Sequence, residues 1–581
     1  MDAFKGIFND AGDLFDSIKD KIASPSSDKA SSDSGSRDAS NAVKKISFEN
    51  MTQDLDEAGE MPGSIPPQIV LDVLVVGAGL AGLTTAYRLL QNDEDLRVRV
   101  VEATERVGGR LLTRSIKTAG AGKDFFDVGG EWLSRKQKRM MDLTTELGLE
   151  TYRQNYAGAK ILVPVDGKPV PFLDNFYPIN MFGRYDLNSF IARLEILRQY
   201  VPVDDPTQCE DAMEWDGITL EAFKKSHTWT EAGRLIFDAL VVLNLGVTPR
   251  EISLLFFLYV LNTFDGWNNF CNVGTDTAKE LKIKARAERL CAILADRVEK
   301  EKIILNDPVV EINQEDEEFS SVRTLEGRIF WAKRVVIAIP PKCIERISFR
   351  PKLPLGKEAI LKRSFAGICL KYVVTFETVF WRNETISKNG IVIKLVDQKK
   401  ELEKMKTYGE ADIMGYSYVF DATTVHSMPA LMGVAFSRKL RDSYEPSDRE
   451  DVILNSLKEF FGEKVYSRLD YTDKLWGDEE YGPSYPCTVV SPGAFSVDYM
   501  MVQRPFLRVH WAGTETSTCY YGQMEGAVES ADRVASEVTY YLNHVESEDP
   551  AVYTDAEEVK ERTASVVSED GDSVSQEGVL V

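Results

Sequence analysis

Three glycines and one glutamate have types and spacing suited to holding a dinucleotide. Gly77, Gly79 and Gly82 form the pattern G-x-G-x-x-G, and Glu102 follows 20 residues after the last glycine. The first glycine permits a tight turn, the second lets backbone approach a pyrophosphate, and the third lets a helix pack closely on a strand. The Glu102 carboxylate can accept hydrogen bonds from ribose hydroxyls. This spacing therefore predicts a dinucleotide-binding site.

The sequence around these residues predicts the elements that position them. The run LDVLVV before the glycines is typical of a buried strand, and LTTAYRLL after them is typical of a helix. The run RVRVVE forms a second strand that ends at Glu102. A helix N-terminus directed at the phosphates offers free N–H groups and the positive end of its dipole. The order of strand, glycines, helix, strand and acid predicts a Rossmann-type unit.

A second group of glycines and two arginines follows closely. The stretch ATERVGGRLLT contains Arg106, Gly109 and Arg110, and FFDVGGEWL contains Gly129 and Gly130. Glycine pairs let backbone lie against a long ligand, and the arginines can contact a pyrophosphate.

At these residues the chain resembles the flavin-containing amine oxidase family, which includes monoamine and polyamine oxidases and binds FAD. The resemblance covers roughly residues 68–543, is most specific in the two glycine-rich ends, and is greatest to animal monoamine oxidases. It implies that the backbone of Val309 in DPVVEI meets the adenine. The block VHWAGTETSTCYYGQMEGAVESADRVASEV implies that Gly513 and Glu515 approach the phosphates and ribityl chain. A helix beginning at Met524 would then point at the flavin pyrimidine ring, where its dipole favours negative charge.

The chain departs from the family pattern at the flavin. Tyr485 stands where covalently flavinylated relatives have cysteine, and Cys487 lies two residues later. Along a strand this offset displaces the thiol by about 6–7 Å, so we expect non-covalent FAD, with linkage to Cys487 open only if the loop shifts. Arg346 replaces the family's lysine, which holds a water against flavin N5. The planar guanidinium is not equivalent to an ammonium. Trp476 resembles a tryptophan packed beside the isoalloxazine, although a plain core role is the alternative.

The substrate side departs as well. Monoamine oxidases hold the amine between two tyrosines, and the matching positions here are Pro486 and Gln523. Asn262 matches a substrate-facing glutamine of a close relative. The segment 275–290 is lysine-rich where the family is glycine-rich, and we expect a solvated helix face there. These changes predict an altered substrate.

The expected fold is α/β, with a Rossmann-type FAD-binding domain interleaved with a mixed-sheet substrate domain. The predicted segments run along the chain as follows: an amphipathic helix at 1–23, a flexible linker at 24–65, FAD-binding parts at 66–150, 291–345 and 476–545, mainly substrate-domain parts at 151–290 and 346–475, and a disordered acidic tail at 546–581.

Composition excludes several classes. The chain of 581 residues has 69 Lys and Arg against 92 Asp and Glu, a net charge of −23, which argues against nucleic acid as a partner. Its seven cysteines include no CxxC pair, so neither a disulfide framework nor a metal site is predicted. No apolar stretch is long enough to span a bilayer. We expect a soluble, cytoplasmic protein.

Both ends of the chain carry candidate contacts. Apolar residues at helical spacing over 4–22 fit either a helix docked on the protein itself or a peripheral membrane or partner helix. The C-terminal valines could suit a PDZ groove.

The expected function is FAD-dependent oxidation of an amine, with oxygen reduced to hydrogen peroxide. Two alternatives stay open. One is an FAD-binding interaction protein with weak or no amine oxidase activity, and the other is an FAD oxidase of a non-amine substrate.

Overall fold

The structure is a computed structural model. It describes residues 70–544 except 157, 166, 174–175, 368, 383–390, 396–415, 437–444, 483–485 and 499–501. The predicted N-terminal helix, linker and acidic tail, the C-terminal valines and Tyr485 lie outside the described residues.

The strands are β1 Leu71–Val76, β2 Val98–Val101, β3 Thr113–Lys117, β4 Lys123–Asp127, β5 Trp132–Leu133, β6 Thr151–Arg153, β7 Lys160–Val163, β8 Val170–Phe172, β9 Leu281–Ile283, β10 Ile303–Ile304, β11 Val309–Asn313, β12 Ser320–Thr324, β13 Ile329–Ile337, β14 Ser348–Arg350, β15 Ser364–Ala366, β16 Leu370–Thr375, β17 Val392–Lys394, β18 Tyr416–Asp421, β19 Ala430–Phe436, β20 Asp470–Leu475, β21 Thr488–Val490 and β22 Val509–Trp511.

The α-helices are α1 Leu80–Asn92, α2 Lys138–Glu146, α3 Met181–Leu197, α4 Ala212–Gly217, α5 Leu220–His227, α6 Glu231–Leu245, α7 Leu254–Thr263, α8 Trp267–Cys271, α9 Glu288–Val298, α10 Pro341–Ile344, α11 Leu355–Arg363, α12 Pro446–Phe461, α13 Phe495–Asp498 and α14 Met524–Asn543.

The first sheet carries the predicted dinucleotide unit. Its order is β10-β2-β1-β13-β12-β11-β14, with β22 beside β13. Strands β10, β2, β1, β13 and β22 run parallel, and all six residues of β1 are buried. A parallel sheet buried on both faces explains why LDVLVV is an unbroken apolar-rich run rather than an alternating one. Helices α1, α9 and α14 pack together against it, through a core that includes Leu83, Leu290 and Val534.

The second sheet is mixed, with the order β20-β16-β19-β18-β17-β7-β8. Its pairs are antiparallel except for β17 with β7. The helices α6 and α7 share its largest apolar cluster, and every residue of α7 from Leu254 to Leu261 is fully shielded from solvent.

The two sheets draw on alternating parts of the chain. The first takes strands from residues 71–101, 303–350 and 509–511, and the second takes strands from 160–172 and 370–475. This interleaving is the predicted α/β arrangement of a Rossmann-type domain and a mixed-sheet domain. Within the described ranges, no helix combines the length and the apolar character needed to cross a bilayer.

Candidate active site

The three motif glycines have the separate roles that their spacing predicts. Gly77 has a φ of +105°, and a Cβ there would lie 2.8 Å from the Ala338 carbonyl oxygen. A Cβ on Gly82 would lie 2.0 Å from the Gly77 carbonyl oxygen, so this glycine lets α1 pack against the turn. A Cβ on Gly79 would meet no protein atom within 4 Å, and Gly79 lines a large cavity. Gly79 therefore leaves room for a ligand at the start of α1.

Glu102 ends β2 and lines the same cavity with its carboxylate fixed. The backbone N–H of Ala78 donates to Oε2 at 2.7 Å. The backbone N–H and the hydroxyl of Thr104 donate to Oε1 at 3.0 and 2.8 Å. Since a carboxylate offers about four acceptor positions, capacity remains on Oε2 for a ribose hydroxyl.

Arg106 and Arg110 both line the cavity, and the protein itself uses several of their donors. The Arg106 guanidinium donates to the carbonyl oxygens of Gly109 at 2.7 Å and Leu111 at 2.9 Å, which shapes the second glycine loop. Arg110 donates to both oxygens of Glu515, at 2.6 and 2.9 Å. Burial favours a higher pKa for Glu515, but the Arg110 guanidinium outweighs it and holds that pKa below its ordinary value.

Glu515 itself is not among the residues that line the main cavity; its pair with Arg110 ties the two glycine-rich ends of the chain together. Gly109, Gly130, Val309 and Gly513 line the cavity, whereas Gly82 and Gly129 lie behind it. A Cβ on Gly129 would lie 2.3 Å from the Arg110 carbonyl oxygen, so its role is close packing.

The C-terminal block brings a helix N-terminus to the cavity. Gln523 is the N-cap of α14, and Gln523 and Met524 both line the cavity. The Gln523 Oε1 accepts a hydrogen bond of 2.6 Å from Nε2 of the buried Gln137. The Glu525 carboxylate accepts from the Met140 backbone N–H at 2.7 Å, at the start of α2. These bonds fix both helix starts, and the α14 dipole favours negative charge in the cavity.

The remaining sequence-predicted site residues fall into two groups. Arg346, Trp476 and Pro486 line the cavity together with Gln523. The Trp476 indole donates to the Val128 carbonyl oxygen at 2.8 Å. Asn262 is not in this group: its Oδ1 accepts from Arg198 at 2.7 Å and its Nδ2 donates to the Val201 carbonyl at 2.8 Å. Both ends of the Asn262 amide are thus hydrogen-bonded to the chain just after α3.

Arg346 is partly exposed. Its guanidinium lies 3.4 Å from the Glu480 carboxylate and 5.2 Å from the centre of the Tyr481 ring. Cys487 also lines the cavity, and burial raises the pKa of its thiol far above the ordinary value. A neutral thiol is a poor nucleophile.

Eleven further residues that line the cavity were not predicted from the sequence. They come from β5, from the end of α6, from the segment around α8, and from β18 and β19: Trp132, Leu243, Asn244, Leu245, Phe264, Phe270, Lys279, Tyr418, Phe420, Val434 and Phe436. The rings of Trp132 and Phe420 lie 4.8 Å apart, and those of Tyr418 and Phe420 lie 4.2 Å apart. Apart from Asn244 and Lys279, their only signal was apolar and aromatic composition, which core residues share.

The expected solvated helix over 275–290 is wrong. Residues Leu281–Ile283 form β9, which pairs with both β5 and β6, and the next helix begins only at Glu288. Lys282 is buried and pairs with Glu131 at 2.9 Å, and Lys371 pairs with the same carboxylate at 2.8 Å. Buried partners in distant segments explain why charge composition alone misled here.

Comparisons with known proteins agree with this geometry. The profile of the family described as "Flavin containing amine oxidoreductase" matches residues 80–539. The chain is 30% identical over 489 residues to flavin-containing amine oxidase A of Canis lupus familiaris, covering 83% of this chain and 87% of the relative. It is also 30% identical over 487 residues to flavin-containing amine oxidase B of Homo sapiens, covering 82% and 87%.

Among solved structures, cyclohexylamine oxidase from Brevibacterium oxydans matches with a TM-score of 0.73 at 25% identity, covering 82% of this chain and all of that one. The predicted resemblance is thus confirmed. The cradle at Gly79, the fixed Glu102 carboxylate and the helix start at Met524 fit a flavin dinucleotide. The cofactor is FAD, and the chain belongs to the family of flavin-containing amine oxidoreductases.

Proposed function

We propose that the protein is an FAD-dependent oxidase of amines. The amine becomes an imine, water hydrolyses the imine to an aldehyde and ammonia or a smaller amine, and oxygen is reduced to hydrogen peroxide. Bound FAD would supply the two-electron chemistry. The observation that carries this proposal is that one cavity is lined both by the dinucleotide loops and by aromatic side chains of the second sheet.

Gln523 gives this cavity an amide and Pro486 gives it an aliphatic ring at the two positions where the resemblance implies tyrosines. Both residues line the cavity. Gln137 donates to Oε1 of Gln523, which orients this amide and leaves its NH2 group as a donor for another partner. This amide therefore suits a substrate with a hydrogen-bond acceptor near the amine.

Two further residues support orientation of the reactants. The Trp476 indole is almost fully buried and fixed through its N–H, which suits a rigid wall beside a flat ring. Arg346 keeps a positive charge at the edge of the cavity, and Glu480 and Tyr481 hold its guanidinium. We propose that Arg346 acts through its positive charge, although its guanidinium is planar where the relatives have the compact ammonium of a lysine.

An aryl-alkyl amine without polar groups would leave the Gln523 NH2 without a partner. The expected penalty is about 1–2 kcal/mol, or roughly five- to thirtyfold in catalytic efficiency. We therefore expect phenylethylamine-like amines to be poorer substrates than amines that carry an acceptor.

The test is hydrogen peroxide release across a panel of amines by the flavin-loaded protein and its Gln523→Tyr variant. We expect peroxide from polar amines, and faster turnover of aryl-alkyl amines by the variant. Equal turnover of phenylethylamine and the best polar amine by the wild type, or no effect of Gln523→Tyr, would refute the assignment of Gln523. If no amine releases peroxide, an FAD-binding interaction protein is favoured. If peroxide is released only from a compound that has no amine, an FAD oxidase of a non-amine substrate is favoured.

A further inference from the structure

One buried lysine in the cavity differs from the other cations there. Lys279 follows α8, is 7% exposed and lines the cavity. Its Nζ donates to Asn244 Oδ1 at 2.6 Å and to the Phe270 carbonyl at 3.1 Å. Both acceptors are neutral, so one of the three ammonium donors and the whole charge lack a counterpart in the described part of the chain.

The cavity holds three more cations, and each has a carboxylate. Arg106 faces Glu288 at 3.8 Å, Arg110 pairs with Glu515 at 2.6 Å, and Arg346 faces Glu480 at 3.4 Å. Among the described residues, no carboxylate lies within 4.0 Å of Lys279. An unpaired charge in a buried site is costly, so a cation kept there points to a ligand that neutralises it.

The surroundings of Lys279 form a polar corner in an otherwise apolar wall. Asn244 lies at the end of α6, and its Nδ2 donates to the Leu240 carbonyl at 2.7 Å, which turns its Oδ1 toward Lys279. The Asn244 Nδ2 also lies 3.9 Å from Sγ of Cys271, the last residue of α8. The Tyr418 ring packs 4.2 Å from Phe420. The corner thus offers an ammonium to the cavity that Tyr418 and Phe420 also line.

The protonation state of Lys279 is compatible with anion binding. Burial lowers its pKa to about 8, against a small opposing effect of Cys271. Below that pH the side chain is mostly charged, and an anion beside it would raise the pKa further.

We propose that Lys279 binds a carboxylate that the amine substrate carries, so that the protein acts on amino carboxylates. The amine part of this inference rests on the proposed function. The carboxylate part does not, because it concerns binding alone.

The binding test uses flavin-loaded protein and two probes of the same shape, 3-phenylpropanoate and 3-phenylpropanamide. The aromatic side chains that line the cavity can accept their phenyl ring. Binding is followed through the flavin absorption spectrum and the thermal midpoint at pH 7. We expect the carboxylate to bind the wild type at least roughly tenfold tighter than the amide, which is the scale of a charge-assisted hydrogen bond. In Lys279→Met the two probes should bind within about twofold of each other, since the preference needs the charge.

Two further variants make the result decisive. Lys284→Met removes a lysine from the same segment that is 46% exposed and paired with Glu150, and it should behave as the wild type. Lys279→Gln should lose the carboxylate preference in the same way, and it decides the matter if Lys279→Met fails to hold flavin. Equal binding of the two probes by the wild type, or an unchanged preference in Lys279→Met or Lys279→Gln, would overturn the proposal.

Turnover separates this inference from the proposed function. Peroxide release is compared for an amino carboxylate and its carboxamide. Selective carboxylate binding without turnover of any amine would leave the Lys279 site standing and refute the oxidase. Equal turnover of both compounds would keep the oxidase and refute the site.

Discussion

The different roles of Gly79 and Gly82 can be separated by adding one methyl group at each position. At Gly82 the new Cβ would lie 2.0 Å from the Gly77 carbonyl oxygen, so the turn or α1 must move. At Gly79 the Cβ would meet nothing within 4 Å, and its φ of −76° is one that alanine adopts freely. The substitution at Gly82 therefore changes the stability of the protein, and the substitution at Gly79 changes the binding of the ligand.

The expected sizes follow from this geometry. Gly82→Ala should destabilise the protein by about 1–3 kcal/mol, because overpacking outweighs the gain in helix propensity of about 1 kcal/mol. Gly79→Ala should change the free energy of unfolding without FAD by less than about 1 kcal/mol, and in the stabilising direction. Its Cβ occupies the space where a pyrophosphate meets backbone, so FAD binding should weaken by roughly tenfold or more.

The assay is thermal or denaturant unfolding of flavin-stripped protein, together with titration by FAD monitored through flavin fluorescence. Ligand linkage then relates the affinity to the shift in stability at each FAD concentration. Wild-type FAD affinity in Gly79→Ala would refute the assigned cradle. Equal losses of flavin-free stability in both variants would refute the separation of roles.

Four other outcomes are expected. Glu102→Ala should weaken FAD binding by about 1.5–3 kcal/mol, the scale of charged hydrogen bonds, and unchanged flavin occupancy would count against a ribose contact. Acid precipitation should release free flavin, and a yellow pellet with a flavin-linked Cys487 peptide would contradict non-covalent binding. Lys371→Met should lower the free energy of unfolding by about 2–4 kcal/mol, because it removes a buried ammonium that bonds the Glu131 carboxylate and the Gly129 carbonyl oxygen; a loss below 1 kcal/mol would show that the pair is dispensable. Since burial lowers the pKa of Lys279 to about 8 from 10.5, the unfolded chain binds more protons between these values. The free energy of unfolding of the wild type, relative to that of Lys279→Met, should therefore rise between pH 8 and pH 10.5 by at most roughly 3 kcal/mol. Unfolding measured across this pH range checks the prediction, and a fall in that relative free energy would contradict it.

The elements around the glycine turn could be predicted from the sequence because short-range rules govern them. Gly77, Gly79 and Gly82 lie in one turn, and Glu102 follows on the adjacent strand, so spacing alone implies their proximity. The C-terminal block from Gly513 also carries a motif whose residues stay close in space.

The substrate side could not be predicted in the same way. Trp132, Asn244 and Tyr418 are distant in sequence and meet only because β5, α6 and β18 surround one cavity. Asn262 shows the converse error, since a position matched to a substrate-facing residue instead hydrogen-bonds Arg198 and the Val201 carbonyl.

Charge patterning misled over 275–290 for a related reason. The lysine-rich run suggested a solvated face, but Lys282 has a buried carboxylate partner in Glu131, which is far away in sequence. Lys279 is buried without one, and no local rule distinguishes these two lysines. Tertiary partners decide whether a charged residue is exposed.

The central claim is that bound FAD accepts electrons from an amine in this cavity. The most direct measurement is the absorption spectrum of the purified protein without oxygen, before and after addition of amines with and without a carboxylate. We predict oxidised flavin bands at the start, their bleaching by an amine, and their return when oxygen is admitted. A flavin spectrum that no amine in the panel bleaches would contradict the claim.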